Sequence, residues 1–171
     1  MVIWITGMSG AGKSALASET VRLARARGEC GVLLVDGDVL REVFGGDLGY
    51  SEDDRRRNMV RMARLCRWLD NEGVHAVAAV VAPFRETREW CREHIPSYFE
   101  VHIDAPLEQL VSRDPKGHYA RALAGKTGLP GVNQTYETPE SPDLLIRNAG
   151  SLDDLLAHAT TLADRLPERM A

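Results

Sequence analysis

At 171 residues the chain is long enough to bury one sizeable core and short for two. Its 44% hydrophobic and 27% charged content is ordinary for a folded domain, and a net charge of −4 gives no reason to expect a nucleic-acid partner. Cys30, Cys66 and Cys91 form no CxxC pair, which argues against a disulfide framework and a structural zinc site. No apolar run reaches the roughly 20 residues of a membrane helix, and no leader pattern opens the chain, so no membrane partner is expected and the expected compartment is the cytoplasm.

Residues 2–6 are a short apolar run, the first expected strand, and residues 13–27 read as a helix ending near Gly28. Residues 31–35 form a second apolar run that terminates in Asp36-Gly37-Asp38. A turn-rich stretch over 45–50 follows, and Ser51 with Asp54 at capping-box spacing predicts a helix start. Met59, Met62, Cys66 and Leu69 recur at helical spacing, which gives that helix a core-facing stripe and makes Cys66 a small buried hydrophobe. Residues 74–81 are almost continuously apolar, as in a strand buried on both faces, and Pro83 ends the run. A charged helix is expected over 85–94, a fourth strand over 98–103 and a further helix over 107–113. Residues 114–138, rich in Gly, Pro, Lys and polar side chains, are the one long irregular segment. A fifth strand is expected over 144–146, and Ser151 caps a final amphipathic helix through Arg165.

Apolar runs alternating with helical segments place the chain in the α/β class, with a parallel sheet and right-handed crossovers. Chemistry in such sheets gathers beyond the carboxyl ends of the strands. The loop after Thr6, Asp36 to Asp38, Ala82 to Arg85, and Asp104 are all expected there. Repeats, low-complexity tracts and linkers are absent from the sequence, so one domain over residues 1–171 is the simplest account.

Gly7-Met8-Ser9-Gly10-Ala11-Gly12-Lys13-Ser14 satisfies GxxxxGK[ST] at an expected strand-to-helix transition. Its glycines permit close approach of backbone to phosphate, and successive N–H groups at a helix start favour an anion. Gly7, Ser9, Gly10, Ala11, Gly12, Lys13 and Ser14 are therefore the candidate ATP-binding residues. Lys13 is placed to reach the β- and γ-phosphates, and the Ser14 hydroxyl to bind Mg²⁺. A guanine-reading NKxD segment, which a GTPase needs, is absent. Asp36-Gly37-Asp38 after the second strand supplies instead one carboxylate to organise Mg²⁺ and one to approach a substrate hydroxyl as general base. Lys13, Asp36 and Asp38 are the catalytic candidates, with Ser14 and Asp36 the metal candidates.

Arg41 lies just after the acidic pair, and Arg55, Asn58 and Arg61 fall within an arc of roughly 120° on one helix. Guanidiniums with an amide suit an anionic, hydrogen-bonding acceptor such as a nucleotide phosphate or sulfate, whereas Arg56 and Arg57 read as a solvated face. Arg113-Asp114-Pro115-Lys116-Gly117 opens the irregular segment, expected to act as a basic lid over 114–138 that excludes water. His118 reads as a solvated loop histidine.

These residues together resemble the adenylylsulfate kinases over nearly the whole chain. The resemblance runs through GMSGAGKSALA, DGDVLR, DLGYSEDDRRRN, APFRETR, DAPLEQLVSRDPKGHYARALAG and YETPESPDL. It implies a three-layer P-loop NTPase fold, with a five-stranded parallel sheet flanked by helices and a lid. It also implies transfer of the ATP γ-phosphate to the ribose 3′-hydroxyl of adenosine 5′-phosphosulfate, with Mg²⁺ as cofactor and Asp38 as the catalytic carboxylate. By the same resemblance Arg41, Arg55 and Asn58 hold the acceptor, Tyr50 packs on its base, and Pro83, Phe84, Lys116 and Leu129 complete its site. Arg113 matches an arginine beside the ATP adenine, and a homodimer is implied.

Several positions depart from the family pattern. Val39 replaces an asparagine after the acidic pair, Ala82 a serine before the proline, and Arg57 an acidic residue before Asn58. Leu129-Pro130-Gly131 stands where the family has phenylalanine-threonine-glycine, in a lid one residue shorter. Leucine keeps apolar contact but loses ring stacking, worth about 1–3 kcal/mol per base. A relative with the same catalytic parts and another acceptor, such as cytidine diphosphoramidate or a specialised-metabolite hydroxyl, therefore stands beside the first reading. A non-catalytic nucleotide-binding module is the distant third.

Overall fold

A computed structural model of the chain describes residues 1–114 and 117–166. In chain order the strands are β1 (Val2–Gly7), β2 (Val32–Asp36), β3 (His75–Val80), β4 (Tyr98–Asp104) and β5 (Leu144–Arg147). They form one parallel sheet in the order β2-β3-β1-β4-β5. The three-layer α/β architecture expected from the sequence is the one found. β1 and β3 sit inside the sheet and are buried at every residue, which is why both read as continuous apolar runs.

Alternation along β1 divides the core. Ile3 and Ile5 pack with Leu16, Ala17 and Val21 of α1 (Lys13–Ala26), with Leu110 of α5 (Leu107–Arg113), and with Leu155 and Leu162 of α7 (Leu152–Ala163). Val2 and Trp4 point the other way, onto Met59, Met62 and Cys66 of α3 (Glu52–Asn71) and Cys91 of α4 (Arg85–His94). The helical stripe expected through Met59, Met62, Cys66 and Leu69 is buried as a set. Ser51 caps α3, its hydroxyl accepting from the Asp54 N–H at 3.1 Å, and Ser151 with Asp154 forms a full capping box on α7.

Two helices fall where the sequence reading has none. α2 (Gly37–Val43) follows β2 directly, capped by the Asp36 carboxylate, which accepts from Asp38 N at 2.9 Å and Val39 N at 3.4 Å. α6 (His118–Leu123) lies inside the segment expected to be irregular. Both are two turns or shorter, too brief to display a 3.6-residue period against their polar neighbours. The final helix stops at Ala163, two residues before the expected end. No helix of the described residues is long and apolar enough to cross a membrane.

Candidate active site

One cavity of about 510 Å³ opens above the carboxyl ends of β1, β2 and β3. Ser9, Gly10, Gly12, Lys13, Ser14, Asp36 and Asp38 line one end of it, while Gly7 and Ala11 are buried behind that wall. The loop is built to bring backbone close. Gly7, at φ 155°, leaves no room for a Cβ, which would stand 2.6 Å from the Ile103 carbonyl oxygen. Gly12 adopts φ 97°, and a Cβ there would meet Leu155 Cδ2 at 2.3 Å, so the loop is seated directly on α7. Gly12 is also the N-cap of α1, with no side-chain cap hydrogen bond, which leaves the helix N–H groups turned toward the cavity for an anion. Lys13 Nζ donates to the Met8 carbonyl at 2.8 Å, and Ser14 Oγ donates to Asp36 Oδ2 at 2.6 Å.

The other end of the cavity carries Arg41, Tyr50, Arg55, Asn58, Pro83 and Leu129. Arg41 is buried at the end of α2 and donates to the Leu48 and Gly49 carbonyls at 3.1 and 2.7 Å. Its guanidinium lies 4.8 Å from the centre of the Tyr50 ring, and that of Arg55 lies 5.2 Å from it. Burial, and then the positive charge of Arg41, push the Arg55 pKa down to about 10, against the opposing pull of Tyr50 and Asp38. Asn58 is buried with its Oδ1 lacking a hydrogen-bond partner among the described residues. Two cations therefore stand beside a buried amide oxygen that calls for a donor, a set able to meet a group that carries negative charge and also donates.

Three expected residues stand elsewhere. Phe84 is 1% exposed, packed in the core under the Arg56 guanidinium, and does not line the cavity. Arg113 is not part of the cavity lining and donates to Gln109 Oε1 at 3.2 Å and the Gly150 carbonyl at 2.9 Å. Arg61, on the arc with Arg55 and Asn58, pairs with Asp47 at 2.7 Å. A spacing of six residues carries it too far round the helix to follow them into the cavity. Lys116 lies outside the described residues.

The family profile for adenylylsulphate kinase matches residues 1–147. The chain belongs to the adenylylsulphate kinase family. It is 44% identical over 147 residues to the adenylyl-sulfate kinase of Deinococcus deserti, covering 85% of this chain and 81% of that one. It is 40% identical over 161 residues to the bifunctional enzyme NodQ of Rhizobium meliloti, of whose length it spans 25%. The Mycobacterium tuberculosis APS kinase CysC, solved in complex with AMPPNP and APS, superposes with a TM-score of 0.84 at 33% identity, over 95% of this chain and 96% of that one.

This adenylylsulphate kinase family member is an ATP-dependent kinase, and its cavity has further walls that sequence reasoning did not assign. His118, Tyr119 and Arg121 of α6 all line it, so His118 is a cavity residue rather than a solvated loop histidine. Tyr119 is 1% exposed and its hydroxyl donates to the Ser9 carbonyl at 2.8 Å, tying α6 to the phosphate loop. Burial, with Asp114 and Tyr136 nearby, raises its pKa to about 12, so it remains a donor throughout the physiological range. An aromatic two residues after Gly117 in a polar stretch was the available signal. Ala82 also lines the cavity, fully buried at φ 46°, its carbonyl held by Arg88 Nη1 at 2.7 Å.

Proposed function

We propose that the chain is a single kinase domain that transfers the ATP γ-phosphate to the 3′-hydroxyl of adenosine 5′-phosphosulfate. The observation that carries this reading is the division of one cavity: phosphate loop and acidic pair at one end, Arg41, Arg55 and Asn58 at the other. The loop amides and Lys13 would hold the β- and γ-phosphates, and the two arginines would hold the acceptor's phosphosulfate. Asp38 would take the proton of the 3′-hydroxyl as its oxygen bonds to the γ-phosphorus and the bond to the β-phosphate oxygen breaks, releasing ADP. Tyr119 would hold α6 over the loop, which keeps water from the transferring group.

Ser14 Oγ and Asp36 Oδ2, 2.6 Å apart beside the loop, are the hard oxygen donors that fit Mg²⁺. No cluster of three acidic, His or Cys ligands occurs among the described residues, which suits an ion held largely by ATP phosphates and water. Bound there, Mg²⁺ supplies neutralisation of the charge on the β- and γ-phosphate oxygens. A homodimer belongs to the same reading. Leu33 and Leu34 on edge strand β2 are exposed and apolar, which supports an interface there, and sedimentation as a monomer at assay concentration would remove it.

Coupled ADP release measured with adenosine 5′-phosphosulfate, cytidine diphosphoramidate and simple hydroxyl metabolites tests the acceptor. The expected result is a strong preference for adenosine 5′-phosphosulfate. Preference for any non-adenine acceptor rejects it.

A further inference from the structure

Several arginines outside the cavity meet carboxylates: Arg61 meets Asp47, Arg85 meets Glu140, and Arg88 and Arg92 meet Glu100. The hydrogen bonds of Arg41 and Arg55 end instead on neutral oxygens. Arg41 donates to two backbone carbonyls, and Arg55 donates to the Gly128 carbonyl at 3.1 Å, the Tyr50 carbonyl at 3.2 Å and Gln134 Oε1 at 2.9 Å. Gln134 is the one side chain among these acceptors, and it stands behind Arg55, outside the cavity lining.

The surroundings of Gln134 specify an amide. Arg55 Nε can only donate, and the Tyr50 carbonyl can only accept. Oε1 faces the first and Nε2 donates to the second at 3.0 Å, and the reversed orientation would oppose like groups at both contacts. The backbone closes round this side chain. Gln134 N donates to the Leu129 carbonyl at 3.2 Å, and Gly131 N donates to the Gln134 carbonyl at 3.0 Å. Gly128 leaves it space, since a Cβ there would lie 2.0 Å from Gln134 Nε2. Glutamate would occupy the same volume and still accept from Arg55. It would also set an oxygen against the Tyr50 carbonyl and place a full negative charge on the guanidinium.

We propose that Gln134 is a specificity-determining positioning residue: it orients Arg55 with a neutral oxygen, so that the charge of the Arg41–Arg55 pair stays available to the acceptor's anionic group. The uncharged latch makes the subsite demanding of charge, because an acceptor without an anion leaves the like charges of Arg41 and Arg55, both beside the Tyr50 ring, uncompensated by the ligand. It also joins the Leu129 loop to the start of α3, where Thr135 N donates to Glu52 Oε1 at 2.9 Å. One side chain therefore sets both the direction of Arg55 and the position of the Leu129 wall.

This inference rests on the acceptor reading above, and steady-state kinetics separate the two. Gln134→Glu is expected to raise KM for adenosine 5′-phosphosulfate by about tenfold or more, the scale of a single charge-assisted hydrogen bond, with KM for ATP unchanged. Gln134→Met removes both hydrogen bonds without adding charge and is expected to raise acceptor KM by less. Gly128→Ala, which displaces the amide, should behave as the methionine variant does. A merely structural role gives the opposite order, because glutamate keeps its hydrogen bond to Arg55 and methionine does not. Methionine equal to or worse than glutamate, no change in either variant, or KM for ATP rising in step would overturn the proposal. A wild-type enzyme inactive on adenosine 5′-phosphosulfate would instead reject the acceptor reading. The same variants are then compared on the acceptor that the panel selects, and the same order decides.

Discussion

Asp38 lines the cavity from the second residue of α2, exposed and next to the carboxylate that caps its own helix. Asp36 accepts from Ser14 and from the α2 amides, and Asp38 is the residue proposed above as the base. Asp38→Ala is expected to lower kcat by about 10²–10⁴-fold, the range for a general base, while thermal unfolding stays near the wild-type midpoint. Near-normal turnover would remove Asp38 from the mechanism. Leu129 serves both the core and the cavity. It is 6% exposed and belongs to the core below the cavity as well as to its wall, so apolar packing and the proposed acceptor contact fall on one side chain. Leu129→Ala should therefore destabilise the fold by about 2–5 kcal/mol, read in denaturant unfolding, as well as raise acceptor KM.

Among the elements, α6 and α7 show how short-range packing holds the phosphate loop. Tyr119 ties α6 to the Ser9 carbonyl, and Leu155 of α7 packs under Gly12. Removing the hydroxyl in Tyr119→Phe forfeits about 0.5–1.5 kcal/mol, the net worth of one hydrogen bond. Its functional signature is a rise in ADP release without acceptor relative to transfer, since a looser α6 admits water. An unchanged ratio would make Tyr119 a packing residue only. The capping box on α7 predicts a plain stability effect. Ser151→Ala should cost about 1 kcal/mol, seen as a lower Tm with KM for ATP unaltered.

For the whole molecule, polar groups buried under the sheet link stability to pH. His102 on β4 is 4% exposed, and its ring Nε2 lies 3.4 Å from the Tyr136 hydroxyl. Burial lowers its pKa below 6.5, with Arg88 acting in the same direction and Asp104 against it. A depressed folded-state value means the unfolded chain takes up the proton first as pH falls. The stability His102 contributes is full above about 6.5 and is lost as pH drops through the folded-state value. Tm measured from pH 8 to 5 should fall below 6.5, and fall less in His102→Gln; parallel curves for the two proteins would refute the linkage. On the same side of the sheet Glu100 is buried between Arg88 and Arg92, with burial raising its pKa against their pull. Arg88 also holds the carbonyls of Ala82 and Glu137, each at 2.7 Å, and Glu137 N donates back to the Pro83 carbonyl at 2.8 Å. The strained turn at Ala82 is thereby kept in place by a charge network rooted in the core.

The sequence by itself determined the class of fold, the phosphate loop and the acidic pair, because each is written in contiguous residues. Apolar runs mark β1 and β3, GxxxxGK[ST] marks the loop, and serines with acids three positions on mark the starts of α3 and α7. Helical spacing was enough to bring Arg55 and Asn58 together, yet not to tell them from Arg61, whose partner Asp47 arrives from another loop. Nor could the local pattern show that Phe84 and Arg113 stand outside the cavity lining, since a side chain's direction depends on neighbours the local pattern does not name. Only the tertiary structure decided that α6 faces the phosphate loop and that Gln134 stands behind Arg55. Those pairings join residues 110 and 79 positions apart, and such pairs are chosen by the packing of the whole chain rather than by any local periodicity.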